Sequence, residues 1–190
     1  DAALREIPLS DKVVLRGALI NVSHMQVRLP NGNTALREIV RHKGAAAIVP
    51  VDENGMVTLV RQHRVVVDKV TLEIPAGKLD TANEDPLACA HRELAEETGL
   101  HAETMELLCP MVPTPGYDTE KVTLYLATGL SRHAAHPDED EFLHVVQMPL
   151  AQAVASVMRG ELCGGKTALG LLMAWVRLNG LTPDAQATDD

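Results

Sequence analysis

Residues 73–100, EIPAGKLDTANEDPLACAHRELAEETGL, constrain the fold more than any other stretch of the chain. An apolar strand end runs into a Pro/Gly turn and then into a helically spaced run dense in carboxylates. Glu93 and Glu97 lie four apart, which stacks their side chains on one helix face. Like charges so placed destabilise a bare helix by roughly a few tenths of a kcal/mol. A cation reverses that cost, and hard divalent ions such as Mg2+ prefer oxygen ligands of this kind. Glu84 and Glu96 add carboxylate to the same region, and Asp80 sits in the turn before it. Asp85 is expected to cap the helix, Pro86 to take its first position, and Gly99 to close it after Thr98.

Around this stretch the pattern alternates strands with helices. Residues 12–20, 24–29 and 34–41 read as strands, with Asn31-Gly32 predicting a type I′ hairpin between the last two. This piece, residues 1–42, carries few large apolar groups and cannot stand alone as a sheet. It is expected to pack on the main body or on a second subunit. The nearly continuous apolar run 45–51 predicts a central strand buried on both faces. Strands are also predicted at 56–64, 102–110, 121–130 and 142–150, and helices at 151–159 and 166–178. On the last helix Leu169, Leu172, Met173 and Val176 form an apolar stripe expected to be its packing face. The class is α/β, with a mixed sheet and helices on both sides. The main domain spans 43–180, and the polar tail 181–190 is expected to be mobile.

Bulk properties narrow the function classes. A chain of 190 residues fits one domain with a small appendage. With one Phe, two Tyr and one Trp, aliphatic side chains must fill the core. A net charge of −9 argues against nucleic acid as the main partner, yet bound cations would reverse the sign locally for a phosphate substrate. Cys89, Cys109 and Cys163 are odd in number and far apart, unlike a disulfide scaffold or a zinc site. None of the eight histidines has zinc-site spacing either. With no stretch of eighteen apolar residues and no signal-peptide pattern, the expectation is a cytoplasmic protein without a membrane partner. Because the chain starts at Asp1, a few leading residues are expected to be missing.

The run Arg92-Glu93-Leu94-Ala95-Glu96-Glu97-Thr98-Gly99-Leu100 resembles the second half of the Nudix box, the signature of Mg2+-dependent hydrolases of diphosphates linked to another moiety. Glu84 matches the family's earlier glutamate, although the six residues between Gly77 and Glu84 are one more than usual. The extra residue reads as a loop insertion. The resemblance implies a Nudix-type α/β/α sandwich preceded by a small antiparallel β segment. It implies Mg2+ or Mn2+ held by the Ala76 carbonyl, Glu93 and Glu97, with Glu96 alongside. Gly77 would let the chain approach the ion, and Glu84 and Arg92 would support the carboxylates.

The stretch Pro113-Thr114-Pro115-Gly116 is similar to a Ser-Pro-Gly segment of the family's ADP-ribose hydrolases, with Thr in place of Ser. This implies hydrolysis of ADP-ribose to AMP and ribose 5-phosphate, with Pro115 and Gly116 near the substrate. Another nucleotide-sugar or a dinucleotide, or a non-catalytic nucleotide-binding module, are the alternatives. The same resemblance implies substrate contacts from Arg61 or Arg64 and, through an N-terminal arm in a homodimer, from Arg37 and Glu38. A glutamate on a late loop would orient the water. Glu139 is favoured, Glu141 stands close behind it, and Glu96 is the alternative on the helix. Relatives often stack adenine on an aromatic ring, but aromatics are nearly absent before Tyr117.

Overall fold

The chain begins with three antiparallel strands, β1 (Ile7–Arg16), β2 (Asn21–Arg28) and β3 (Thr34–Arg41), in the order β1-β2-β3. This is a computed structural model that describes residues 2–133 and 142–180. The acidic run containing Glu139 and Glu141 and the tail 181–190 lie outside the described residues. The first strand is displaced from the predicted 12–20. It ends at Arg16 because residues 17–20 turn back, with the Gly17 N–H donating to the Ile20 carbonyl at 2.9 Å. The second turn is not type I′ either, since that type needs positive φ at both central residues. Only Gly32 has positive φ there (86°), and the Gly32 N–H closes on the Leu29 carbonyl at 2.9 Å. Pro30, whose ring fixes φ near −65°, sets the turn one residue earlier than Asn31-Gly32 alone suggested.

Gly44, at φ 108°, swings the chain into β4 (Ala45–Pro50), which is buried at every position. Side chains alternate across that strand. Ala45, Ala47 and Val49 join Leu124, Leu126, Leu171 and Ala174 on one face. Ala46 and Ile48 join Cys89, Ala90, Leu94 and Tyr125 on the other. Two further strands, β5 (Met56–Arg64) and β6 (Lys69–Glu73), form an antiparallel pair. The short β7 (Ala76–Lys78) then lies antiparallel on the edge of β4.

The helix α1 (Pro86–Thr98) follows, built as its sequence predicts. Asp85 Oδ1 accepts from the Leu87 N–H at 3.1 Å, Pro86 holds the first position, and Gly99 at φ 67° ends it. The remaining strands are β8 (Leu100–Met111), β9 (Val122–Arg132) and β10 (His144–Pro149). The central sheet runs β7-β4-β9-β8, with β4 and β9 parallel, and a second sheet runs β10-β5-β6. Two last helices, α2 (Leu150–Met158) and α3 (Gly165–Asn179), cover the face of β4 opposite α1. The result is the expected α/β/α sandwich with its N-terminal β segment.

The buried face of α3 is centred beside the predicted stripe, of which Leu169 and Met173 still pack against the core. Thr167, Gly170, Leu171 and Ala174 are the buried positions, whereas Leu169, Leu172, Met173 and Val176 are only half-buried. The reason is close approach. A Cβ at Gly170 would lie 3.0 Å from Ile74 Cδ1 and 3.1 Å from Val49 Cγ2, so small residues face the sheet and larger ones flank them. Thr167 adds a buried tie, its hydroxyl accepting from the Ile74 N–H at 3.2 Å.

Candidate active site

The site grows from the contact between β7 and α1. Glu97 Oε2 accepts from the Ala76 N–H at 3.1 Å, which anchors one turn of the helix to the strand. One turn earlier, Glu93 lays its carboxylate over Gly77. A Cβ at position 77 would stand 2.0 Å from the Glu93 carboxyl carbon, so a side chain there would displace the carboxylate. Glu93 and Glu97 are 8% and 6% exposed, unusual for carboxylates, whose burial is costly without charge compensation.

Part of that compensation comes from Arg92. Its Nη1 donates to Glu93 Oε1 at 2.6 Å and to Glu96 Oε2 at 3.1 Å, while Nη2 donates to Glu84 Oε1 at 3.4 Å. Burial works against the guanidinium charge, but the charge and hydrogen bond of Glu93 outweigh it and hold Arg92 above its ordinary pKa. The extra residue before Glu84 is absorbed in a coil, where the Glu84 N–H donates to the Thr81 carbonyl and Glu84 Oε2 accepts from the Asp80 N–H. Glu84 therefore still reaches Arg92. Beneath the cluster the buried Cys89 thiol is pushed up to about 12 by burial and then by the charge of Glu93.

Among the described residues, no group of three or more His, Cys, Asp or Glu side chains is gathered as a metal centre. Glu97 accepts from the Ala76 N–H and Glu93 lies over Gly77, so these two carboxylates are the pair at the turn. Two buried carboxylates beside a peptide turn with no side chain at Gly77 are hard oxygen donors that fit a divalent ion such as Mg2+.

A cavity of about 540 Å3 adjoins this turn, lined among others by His42, Ala76, Gly77, Glu120 and Lys166. A second hollow of about 580 Å3 is formed by Leu36, Arg37, Glu38, Val40, Gly116 and Tyr117. The loop carrying Gly116 and Tyr117 is laced to β3, with the Val40 N–H donating to the Tyr117 carbonyl at 2.7 Å. Pro115 is exposed on that loop, and Arg37 Nε donates to Glu6 at 3.0 Å. The structure thus joins Arg37, Glu38 and Gly116, and separately Ala76, Gly77, Glu93 and Glu97.

Arg61 and Arg64 belong to neither group. Arg61 is exposed on β5, and alternation sends Arg64 to the opposite face. There Arg64 grips Glu73 through Nε (2.8 Å) and Nη2 (3.1 Å), joined by Lys166 Nζ at 2.6 Å and the Thr71 hydroxyl at 2.7 Å. Burial alone would raise the Glu73 pKa, but hydrogen bonds from Arg64 and the charge of Lys166 hold it well below the carboxylate range. Glu73 and Lys166 escaped the sequence reading because they meet across 93 positions. The only local signals were a glutamate ending a strand and the Gly-Gly-Lys that starts α3.

Residues 40–162 match the NUDIX domain family. The chain is similar to a methanol dehydrogenase activator of Bacillus methanolicus, 38% identical over 168 residues that cover 87% of this chain and 90% of the relative. It is 40% identical over 167 residues to an ADP-ribose pyrophosphatase of Mycobacterium tuberculosis (strain ATCC 25618 / H37Rv), covering 86% of this chain and 80% of that protein. A crystal structure of an ADP compounds hydrolase superposes with a TM-score of 0.80 at 24% identity, covering 94% of this chain and 98% of that one. At that identity the likeness concerns the fold.

Proposed function

The chain belongs to the NUDIX domain family and is a Nudix hydrolase, and from that premise we propose that it cleaves the diphosphate of ADP-ribose into AMP and ribose 5-phosphate. The observation that carries this reading is the pair of buried carboxylates, Glu93 and Glu97, converging on Ala76 and Gly77. The ADP-ribose pyrophosphatase relative and the Pro113–Gly116 segment support ADP-ribose over other nucleoside diphosphate esters.

In this reading Glu93, Glu97 and the Ala76 carbonyl hold Mg2+ or Mn2+, with Glu96 alongside. When bound, the ion supplies charge neutralisation for the diphosphate and polarises a water. Arg92 orients Glu93 and Glu96 through its hydrogen bonds, and Glu84 fixes Arg92 from the other side. Gly77 leaves room for the diphosphate to come close to the backbone. Water is oriented by Glu139, with Glu141 second, or by Glu96, which is the more exposed of the helix carboxylates. The nucleoside end lies in the hollow of Arg37, Glu38, Gly116 and Tyr117, where Tyr117 is the available ring. Pro115 shapes its loop, and one of the two β5 arginines, Arg61 or Arg64, would reach the substrate from the strand end.

Residues 1–42 form the dimerising segment and 43–180 the hydrolase domain in the same reading. Its support is β1, exposed along its whole length with Ile7, Leu9, Val14 and Leu15 open to solvent. Exposed apolar strands of this kind call for a partner surface. The substrate is tested by assaying ADP-ribose, other nucleoside diphosphate sugars and dinucleotides with Mg2+, identifying every product. Fastest turnover of ADP-ribose to AMP and ribose 5-phosphate is expected. Faster hydrolysis of another diphosphate ester would replace ADP-ribose as the substrate.

A further inference from the structure

One side chain of the cavity beside Gly77 has no role in the scheme above. His42 follows β3 directly and lines that cavity, its side chain 12% exposed. Two contacts fix it. The His42 backbone N–H donates to Thr119 Oγ1 at 3.0 Å, and the Gly44 N–H donates to His42 Nδ1 at 3.1 Å. A peptide N–H only donates, so Nδ1 is the acceptor and the ring proton resides on Nε2. Glu120 Oε1 stands 3.6 Å from Nδ1, beyond hydrogen-bond reach, and does not reverse that assignment. Nε2–H is then the remaining donor of the ring. Among the described residues no hydrogen-bond acceptor takes it, yet it is not one of the atoms sealed from solvent without a partner. Because the ring lines the cavity, Nε2–H is the ring atom left to meet a ligand there.

We propose that His42 is a substrate-binding residue whose Nε2–H donates to a non-bridging phosphate oxygen of the diphosphate beside Gly77. The proposal rests on the hydrolase reading above and deepens it. Lys78 and Glu120 both line the same cavity, and Lys166 there is already paired with Glu73, so a directed N–H rather than surplus charge is what the cavity offers an anion. The imidazole N–H adds a directed hydrogen bond for a phosphate oxygen. Position supports the same role. The 117–119 strap that borders the nucleoside hollow at Tyr117 holds the His42 backbone through Thr119, so His42 stands between that hollow and the signature turn.

The rival role is a strut, in which His42 merely braces Gly44 at the bend into β4. Two near-isosteres separate the roles. Asparagine places an amide oxygen near Nδ1, keeping the bond from Gly44, but has no donor at Nε2. Glutamine places an amide NH2 near Nε2 and has no acceptor at Nδ1. The experiment measures kcat, KM and Tm for wild type, H42N and H42Q, on the diphosphate ester that wild type hydrolyses fastest. H42N should keep its Tm and lose about tenfold or more in kcat/KM, chiefly through KM, as for a hydrogen bond to a charged group. H42Q should stay within about threefold of wild type in kcat/KM, a difference under 1 kcal/mol. An H42N variant as active as wild type, or H42Q as impaired as H42N, overturns the proposal. Wild type preferring another ester to ADP-ribose overturns only the substrate assignment, while inertness to every diphosphate ester overturns both.

Discussion

Gly77 is the residue whose replacement separates fold from chemistry most cleanly. Its backbone is not in the left-handed region, so alanine is not strained there, and the atoms its Cβ would meet are the tip of the flexible Glu93 side chain. Gly77→Ala should therefore cost less than about 1 kcal/mol of stability while displacing the carboxylate and lowering kcat by a hundredfold or so. Thermal melts beside steady-state kinetics check both halves. Glu97→Gln should likewise abolish Mg2+-dependent turnover with the fold intact, because the amide oxygen still accepts from the Ala76 N–H. A near wild-type kcat would remove Glu97 from the site. The thiols make a third case. Cys89 is buried and its thiol stands at about 12, whereas Cys163 is exposed. In a thiol-reagent titration at neutral pH the native chain should label Cys163 rapidly and leave Cys89 unlabelled until denaturant is added.

At the scale of the element, α1 was legible because everything that defines it is local. Asp85, Pro86 and Gly99 mark its ends, and the spacing of Glu93 and Glu97 fixes the face that carries the carboxylates. The buried run of β4 was equally plain, since neither of its faces meets water. What failed depended on neighbours. The stripe on α3 flanks the true centre of its packing face, because close approach to Ile74 and Val49 selects Gly170 there, a steric fact absent from hydropathy. The grip of Arg64 on Glu73 was equally hidden, since it joins two strands and no local pattern announces it. That Glu73 cluster ties β5, β6 and α3 together and makes an acid-labile joint. A carboxylate held below its ordinary pKa contributes stability in full above its unfolded value, near pH 4.3, and loses it as pH falls through the lower folded value. Glu73→Gln should accordingly melt below wild type at neutral pH, and the gap should shrink steadily on acidification below about pH 4. A gap that does not change with pH would contradict the ion-pair account.

For the whole molecule, a three-stranded N-terminal sheet is laced through β3 to the loop of Tyr117 and Thr119, beside two further sheets and the helices α1, α2 and α3. Among the described residues no helix is long and apolar enough to cross a membrane. The open apolar edge of β1 matters most at this scale, since a three-stranded sheet with one exposed strand gains most from a second copy. Light scattering should give a mass about twice 20.5 kDa, and Val14→Asp with Leu15→Asp should return the chain to that monomer mass. On the proposed reading, Glu93 and Glu97 are buried together because a divalent cation belongs between them and the diphosphate. Anomalous diffraction from crystals grown with Mn2+ and a non-hydrolysable ADP-ribose analogue tests it directly. The account predicts a manganese peak contacting Glu93, Glu97 and the Ala76 carbonyl. A map without that peak, with Glu93 still held by Arg92 and the analogue bound elsewhere, would contradict it.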